Sequence, residues 1–146
     1  MKIIIGSDHA GFDLKEELKK YLDTLGYDHE DLGTFSKESC DYPLIAKQLA
    51  QKVAKTKSLG ILICGTGIGM SIAANKINGI RAALCCNEDS ARLAKEHNDA
   101  NIICMGARQI SKALAKRVTK AWLETSPSKE QRHRRRVCQM NRICKC

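Results

Sequence analysis

Aromatic side chains are scarce, with two Phe, one Trp and three Tyr among 146 residues. A chain of this length makes one domain, so small aliphatic side chains must fill its core. No apolar run approaches the roughly 18 residues that a membrane-spanning helix requires. The opening "MKIIIGSDHAG" offers three isoleucines and no small-residue cleavage site, and so reads as a buried strand rather than an export signal. Internal repeats, low-complexity segments and C-x-x-C pairs are missing as well. A cytoplasmic location is therefore expected, and the eight cysteines read as free thiols rather than a disulfide framework.

Positive charge is present but unevenly spread. Of the net +9, residues 126–146 hold seven Lys or Arg against one Glu, leaving 18 against 15 for the rest. A charge run of this kind is ordinarily a solvated tail or a nonspecific nucleic-acid contact. Few aromatic residues accompany it, so base stacking has no support.

Continuous apolar runs at 3–6, 59–65, 80–86 and 101–106 read as buried strands, with a weaker strand in "YDHEDLG" (27–33). Helical spacing separates them. Leu14, Leu18, Tyr21, Leu22 and Leu25 mark a first helix, and Ile45, Leu49 and Val53 a second with Pro43 near its first turn. A third begins inside the glycine stretch and a fourth covers roughly Glu88–Glu96. A fifth carries Ile110, Leu114, Val118, Ala121 and Trp122. Such alternation predicts a parallel sheet with helices on both faces. Residues 1–125 form the α/β unit, and 126–146 a basic helical tail of the same domain, in which Val137, Met140 and Cys144 make a narrow stripe.

The segment "LICGTGIGMS" (62–71) puts Cys64 at the carboxyl end of the third strand, where parallel sheets collect ligands. "GTGIG" matches neither the dinucleotide fingerprint nor a phosphate loop. Glycines at 65, 67 and 69 instead expose backbone N–H groups at a helix start, an arrangement that stabilises developing negative charge and favours a thiolate. That combination suits nucleophilic attack or abstraction of a carbon-bound proton. A tight strand-to-helix turn preceded by a buried cysteine accounts for the same letters.

Asp8 and His9 follow the first strand, at the same edge as Cys64, and an Asp there is also an ordinary helix cap. His9 falls in a turn expected to face solvent. His97 and Asn98 lie just before the fifth strand, in what reads as a loop at the opposite edge, so His97 meets Cys64 only from another subunit or by an unusual loop path. Arg108 follows the fifth strand. Arg132 and Arg136 share a helical face suited to a phosphate group. Cys138, Cys144 and Cys146 with His133 fit no common zinc-site spacing, and no metal is expected.

Together "GSDHAG", "DLGT", "DYP", "ILICGTGIGMSIAANKINGIRAAL", "EHNDANII", "GAR" and "RHRRRV" resemble, in order over almost the whole chain, the type B ribose-5-phosphate isomerases. That family includes isomerases of allose and galactose phosphates. The resemblance implies a Rossmann-like three-layer α/β/α sandwich with a five-stranded parallel sheet. It also implies a homodimer or tetramer with sites between subunits, a sugar-phosphate substrate, and no metal or organic cofactor. Neither nucleic acid nor membrane is an expected partner.

By position in the family, Cys64 is the base that moves a proton between C2 and C1, while Thr66 and the backbone of Gly65, Gly67, Ile68 and Gly69 hold the enediolate oxygens. His97 opens the furanose ring, Asp8 and Asn98 bind sugar hydroxyls, and Tyr42 lines the site. His9, Arg108, Arg132 and Arg136 grip the phosphate. One branch of the family carries a glutamate base where Met70 stands and lacks the cysteine, so this chain resembles the cysteine branch. "SKEQRH" and the cysteine-rich "CQMNRICKC" depart from the family pattern on either side of the arginine pair.

Overall fold

A computed structural model describes residues 2–143. Five strands, β1 (Ile3–Ser7), β2 (His29–Asp31), β3 (Leu59–Cys64), β4 (Ala82–Leu84) and β5 (Ile102–Gly106), form one parallel sheet in the order β2-β1-β3-β5-β4. The helices are α1 (Phe12–Thr24), α2 (Tyr42–Thr56), α3 (Ile68–Ala74), α4 (Glu88–Asn98), α5 (Lys112–Glu124) and α6 (Gln131–Ile143). This is the expected α/β/α sandwich with a helical tail.

Strand side chains alternate between two aliphatic layers. Ile3, Ile5, Ile61, Ile63, Ile103 and Met105 face α1, α4 and α5, where Leu14, Leu18, Leu22, Val118 and Trp122 are buried. Ile4, Leu62, Cys64, Ile102 and Cys104 face α2 and α3, against Leu49, Val53, Met70 and Ala74. Fully burying each Ile or Leu is worth about 2 kcal/mol, so two continuous aliphatic layers hold the sheet without many aromatics. The single tryptophan is wholly buried, and its indole N–H donates to the Ala100 carbonyl at 3.2 Å.

Local signals set the helix ends. Asn87 and Ser90 form a reciprocal capping box at the start of α4. Ser111 accepts from the Leu114 N–H and starts α5, which leaves Ile110 outside the helix its spacing had suggested. His97 and Asn98 occupy the last turn of α4 rather than a loop, because the helix runs on to a left-handed C-cap at Asp99. In the tail, Val137 and Met140 are half-buried as the stripe required; Cys144 lies outside the described residues.

A charge cluster around one buried lysine fixes the chain beside β1. Lys15 on α1 is wholly buried and bonds Asp31 at the end of β2, with Lys19 also on Asp31 at 2.8 Å and Glu16 on Lys15 at 2.8 Å. Asp31 Oδ1 accepts from the Gly33 N–H at 2.9 Å. The Gly33 carbonyl in turn accepts from Ser7, and Ser7 from the Thr34 N–H, both at 2.5 Å. The position of Ser7, immediately before Asp8, thus rests on a paired lysine within the fold.

Candidate active site

Strands β1 and β3 are neighbours, but their onward connections leave in opposite directions. The chain after β1 returns as β2 on one side, and the chain after β3 leads to β4 on the other. The crevice beyond their carboxyl ends is the switch point at which such sheets bind ligands. Ser7 is in register with Ile63, and the Asp8 N–H donates to the Ile63 carbonyl at 3.1 Å, which sets Asp8 and His9 beside Cys64. Asp8 does act as a cap, its Oδ1 accepting from the Gly11 N–H at 3.0 Å. His9 has structural employment that the sequence did not reveal. It is half-buried, and its Nδ1 accepts from the Cys40 N–H at 3.3 Å.

Cys64 ends β3 with its side chain toward the α2/α3 layer and 5% of its surface exposed. The Gly67 N–H donates to its Sγ at 3.1 Å. Gly67 has φ +77°, and a β-carbon there would lie 2.6 Å from Leu84 Cδ1 and 2.8 Å from the Met105 carbonyl carbon. Only glycine fits the turn that aims this N–H at the sulfur. Thr66 is exposed, its Oγ1 accepting from the Ile68 N–H at 3.3 Å, and Ile68 opens α3. The Tyr42 ring, at the first residue of α2, packs directly on Gly69; a β-carbon there would sit 2.5 Å from its Cζ. Arg108 donates its backbone N–H to the Gly65 carbonyl at 3.0 Å, and its guanidinium lies along Gly65.

One edge therefore gathers Asp8, His9, Tyr42, Cys64, Gly65, Thr66, Gly67, Ile68, Gly69 and Arg108. It presents a sulfur that receives a backbone N–H, a row of backbone with little steric cover, and a guanidinium. Such a surface can take a proton from carbon and stabilise the oxyanion that results. Burial pushes the Cys85 thiol up to about 12, and burial together with neighbouring Cys85 and Cys64 raises Cys104 well above the ordinary range.

The remaining predicted residues lie at the other edge. Cys64 pairs with Gly106 at the far end of β5, whereas His97 and Asn98 precede Ile102 at its start. Strand β5 alone spans roughly 13 Å. Arg132 and Arg136 are exposed on α6, which packs on α4, and Arg132 pairs with Glu130 at 2.6 Å. His133, considered in the sequence only as an unsuitable metal ligand, is buried, and its ring stacks on His97 with centroids 4.2 Å apart. Its signal was available, since it stands one helical turn before Val137 on the same stripe. Among the described residues no cluster of three or more His, Cys, Asp or Glu is arranged to hold a metal ion, and Cys144 and Cys146 lie outside them. No helix among those residues is long and apolar enough to cross a membrane.

Known proteins share both the sequence and this architecture. The chain is 49% identical to ribose-5-phosphate isomerase B of Escherichia coli over 123 residues, covering 84% of this chain and 83% of that one. It is 42% identical over 139 residues to ribose-5-phosphate isomerase B of Mycolicibacterium paratuberculosis, covering 94% and 87%. The solved structure of Clostridium thermocellum ribose-5-phosphate isomerase B superimposes with a TM-score of 0.94 at 46% identity, covering 98% of this chain and 97% of the other. The type B ribose 5-phosphate isomerase of Trypanosoma brucei gives 0.94 at 41% identity, with coverage of 97% and 97%. The family model described as Ribose/Galactose Isomerase matches residues 3–140, and the chain belongs to that family.

Proposed function

We propose that this protein interconverts D-ribose 5-phosphate and D-ribulose 5-phosphate through a cis-enediolate, with Cys64 as the base. The observation that carries the reading is the Cys64 sulfur at the sheet switch point, receiving the Gly67 N–H at the foot of an uncovered glycine turn. In the open-chain aldose the Cys64 thiolate takes the C2 proton, C1 and C2 become doubly bonded, and the C1 oxygen becomes the oxyanion. The thiol then returns the proton to C1, the C1 oxygen is protonated, and the C2 hydroxyl loses its proton to become the ketone. Backbone N–H groups of the 65–69 turn and Thr66 hold the oxygens as charge develops.

His97, Asn98, Arg132 and Arg136 enter this site from a second copy of the chain. Two observations support the arrangement. Within one chain these residues sit at the opposite sheet edge from Cys64. Ile68, Ile72 and Leu84, beside the Cys64 turn, are exposed apolar side chains. In the assembled site Asp8 and Asn98 bind sugar hydroxyls, Tyr42 lines the pocket, and His9, Arg108, Arg132 and Arg136 take the phosphate, guanidinium forks being well matched to its oxygens. The tail helix packs at the same interface, and the cytoplasm, where thiols stay reduced, suits the free cysteines.

Turnover of ribose 5-phosphate in EDTA, with Cys64→Ala and Cys64→Ser compared against wild type, tests the reading. Activity that resists chelation and collapses in both variants supports a thiolate base; variants that retain turnover reduce Cys64 to packing. Comparing kcat/KM for five- and six-carbon aldose phosphates decides between ribose 5-phosphate and the allose or galactose 6-phosphates handled elsewhere in the family.

A further inference from the structure

The tail helix is fixed to α4 at three heights. The Ser128 N–H, just before α6, donates to the Glu96 carbonyl at 2.8 Å. His133 is 5% exposed, and its ring lies against that of His97 with 10° between the planes. Further along, Arg81 spans the two helices. Its Nε donates to the Asn98 carbonyl at 2.9 Å, one terminal nitrogen donates to the Asp99 carbonyl at 2.7 Å and the Asp99 carboxylate at 2.9 Å, and the other reaches Asn141 Oδ1 on α6 at 2.9 Å. The imidazole of His97 is thus backed by a ring whose helix is tied to α4 on either side of the stack.

We propose that His133 is a positioning residue for His97: the buried, face-to-face stack holds the plane of the His97 imidazole in the orientation that ring opening needs. The proposal rests on the reading of His97 as the group that opens the sugar ring. In that step the bond between C1 and the ring oxygen breaks, the ring oxygen takes a proton, and the C1 hydroxyl gives one up to leave the free aldehyde. One imidazole serving both oxygens must be held in one plane, since small misplacements cost rate steeply. Two imidazoles stack flat without repulsion when they do not both carry charge. Burial, reinforced by His97 and Arg132, lowers the affinity of His133 for a proton below the ordinary histidine range, with Glu130 opposing and Arg136 adding to the effect. Glu96, Asp99, Lys129 and Arg134 line one cavity with His97 and His133, and the Asp99 carboxylate is paired with Arg81 at 2.9 Å and Lys95 at 3.0 Å.

His133→Ala removes the stack, whereas His133→Phe keeps a flat ring of similar size. The two variants are assayed for turnover of ribose 5-phosphate and, separately, for exchange of the C1 proton of ribulose 5-phosphate in D2O. The ketose 5-phosphate is open-chain, so the exchange bypasses ring opening. Expected is a fall of about tenfold in ribose 5-phosphate turnover for His133→Ala. Exchange stays near wild type, and His133→Phe recovers most of the lost turnover. In proton NMR the ring-current shift of the His97 signals disappears in His133→Ala and persists in His133→Phe. Undiminished turnover in His133→Ala overturns the proposal, as does exchange that falls in step with turnover, because the defect then lies outside ring opening. A wild-type protein inactive in both assays overturns the underlying reading and the proposal with it. Wild-type activity with either of the first two results overturns the proposal alone.

Discussion

The two edges of the sheet are built by different physics. At the carboxyl edge, Cys64 is placed by strand register and by backbone: Ser7 opposite Ile63, Cys64 opposite Gly106, and the Gly67 N–H on the sulfur. At the amino edge, His97 is placed by side chains from other elements, through the stack of His133 on α6 and the bridge of Arg81, just before β4. A site that needs both edges can be complete only if two copies meet, one offering each edge. The backbone-built half should fail through its chemistry or its turn, and the side-chain-built half through loss of docking.

The largest effect follows from separating the halves. Cys64→Ala and His97→Ala should each lose roughly 10²–10⁴-fold in turnover, the usual contribution of an acid–base group. If the protein is the proposed dimer with shared sites, the two variants, mixed and allowed to exchange subunits, should recover about a quarter of wild-type activity, since half the dimers become heterodimers and each has one intact site. Native mass spectrometry showing heterodimers without recovered turnover would place both residues in one chain's site.

Breaking the support of the carboxyl edge comes next. Lys15 is wholly buried against Asp31, whose carboxyl is raised by burial but lowered further by Lys15, Lys19 and the Gly33 N–H, so that it ends below the ordinary range. Lys15→Met should cost about 3 kcal/mol, the scale for removing one partner of a buried pair. Urea denaturation measures it, and a cost under about 1 kcal/mol would show that Lys19 alone suffices to hold the 31–34 segment.

Gly67→Ala should cost about 2 kcal/mol, from a left-handed residue given a β-carbon. It should also slow turnover, because the N–H aimed at Cys64 moves with the strained turn. A variant as stable and active as wild type would mean that the turn relaxes without losing that hydrogen bond.

The same division explains what the sequence made legible. Strands, helices and the Cys64 turn were readable because backbone geometry leaves local marks: continuous apolar runs, helical spacing, and glycines where a β-carbon would collide. The three-residue β4, only partly buried, showed its run as well. Contacts made by side chains across elements left weaker marks. From sequence His97 reads as a loop residue because nothing apolar marks the last turn of α4. The Cys40 bond to His9 joins residues 31 apart, and the Lys15–Asp31 pair joins residues 16 apart; no pattern of spacing announces either. His133 could have been found from its register with Val137, but a histidine within a run of arginines reads as one more basic residue.

The smallest expected effect separates the two edges by pH. His133 binds a proton less readily in the fold than in the unfolded chain, so its contribution to stability is complete above the ordinary histidine value of 6.5 and is lost as pH falls below it. Asp31, also lowered in the fold, keeps its contribution until pH falls below the ordinary aspartate value of 3.8. On mild acidification α6 should therefore loosen from α4 while the 31–34 segment stays bound to β1. Hydrogen exchange at pH 7 and pH 5, corrected for intrinsic rates, should show faster opening of α6 amides at the lower pH and unchanged protection at Gly33 and Thr34. His133→Phe should abolish the α6 difference, because a phenyl ring fills the same place and has no proton to gain. If the difference persists in that variant, another group governs the docking of α6, and the pH response of the amino edge does not come from the histidine stack.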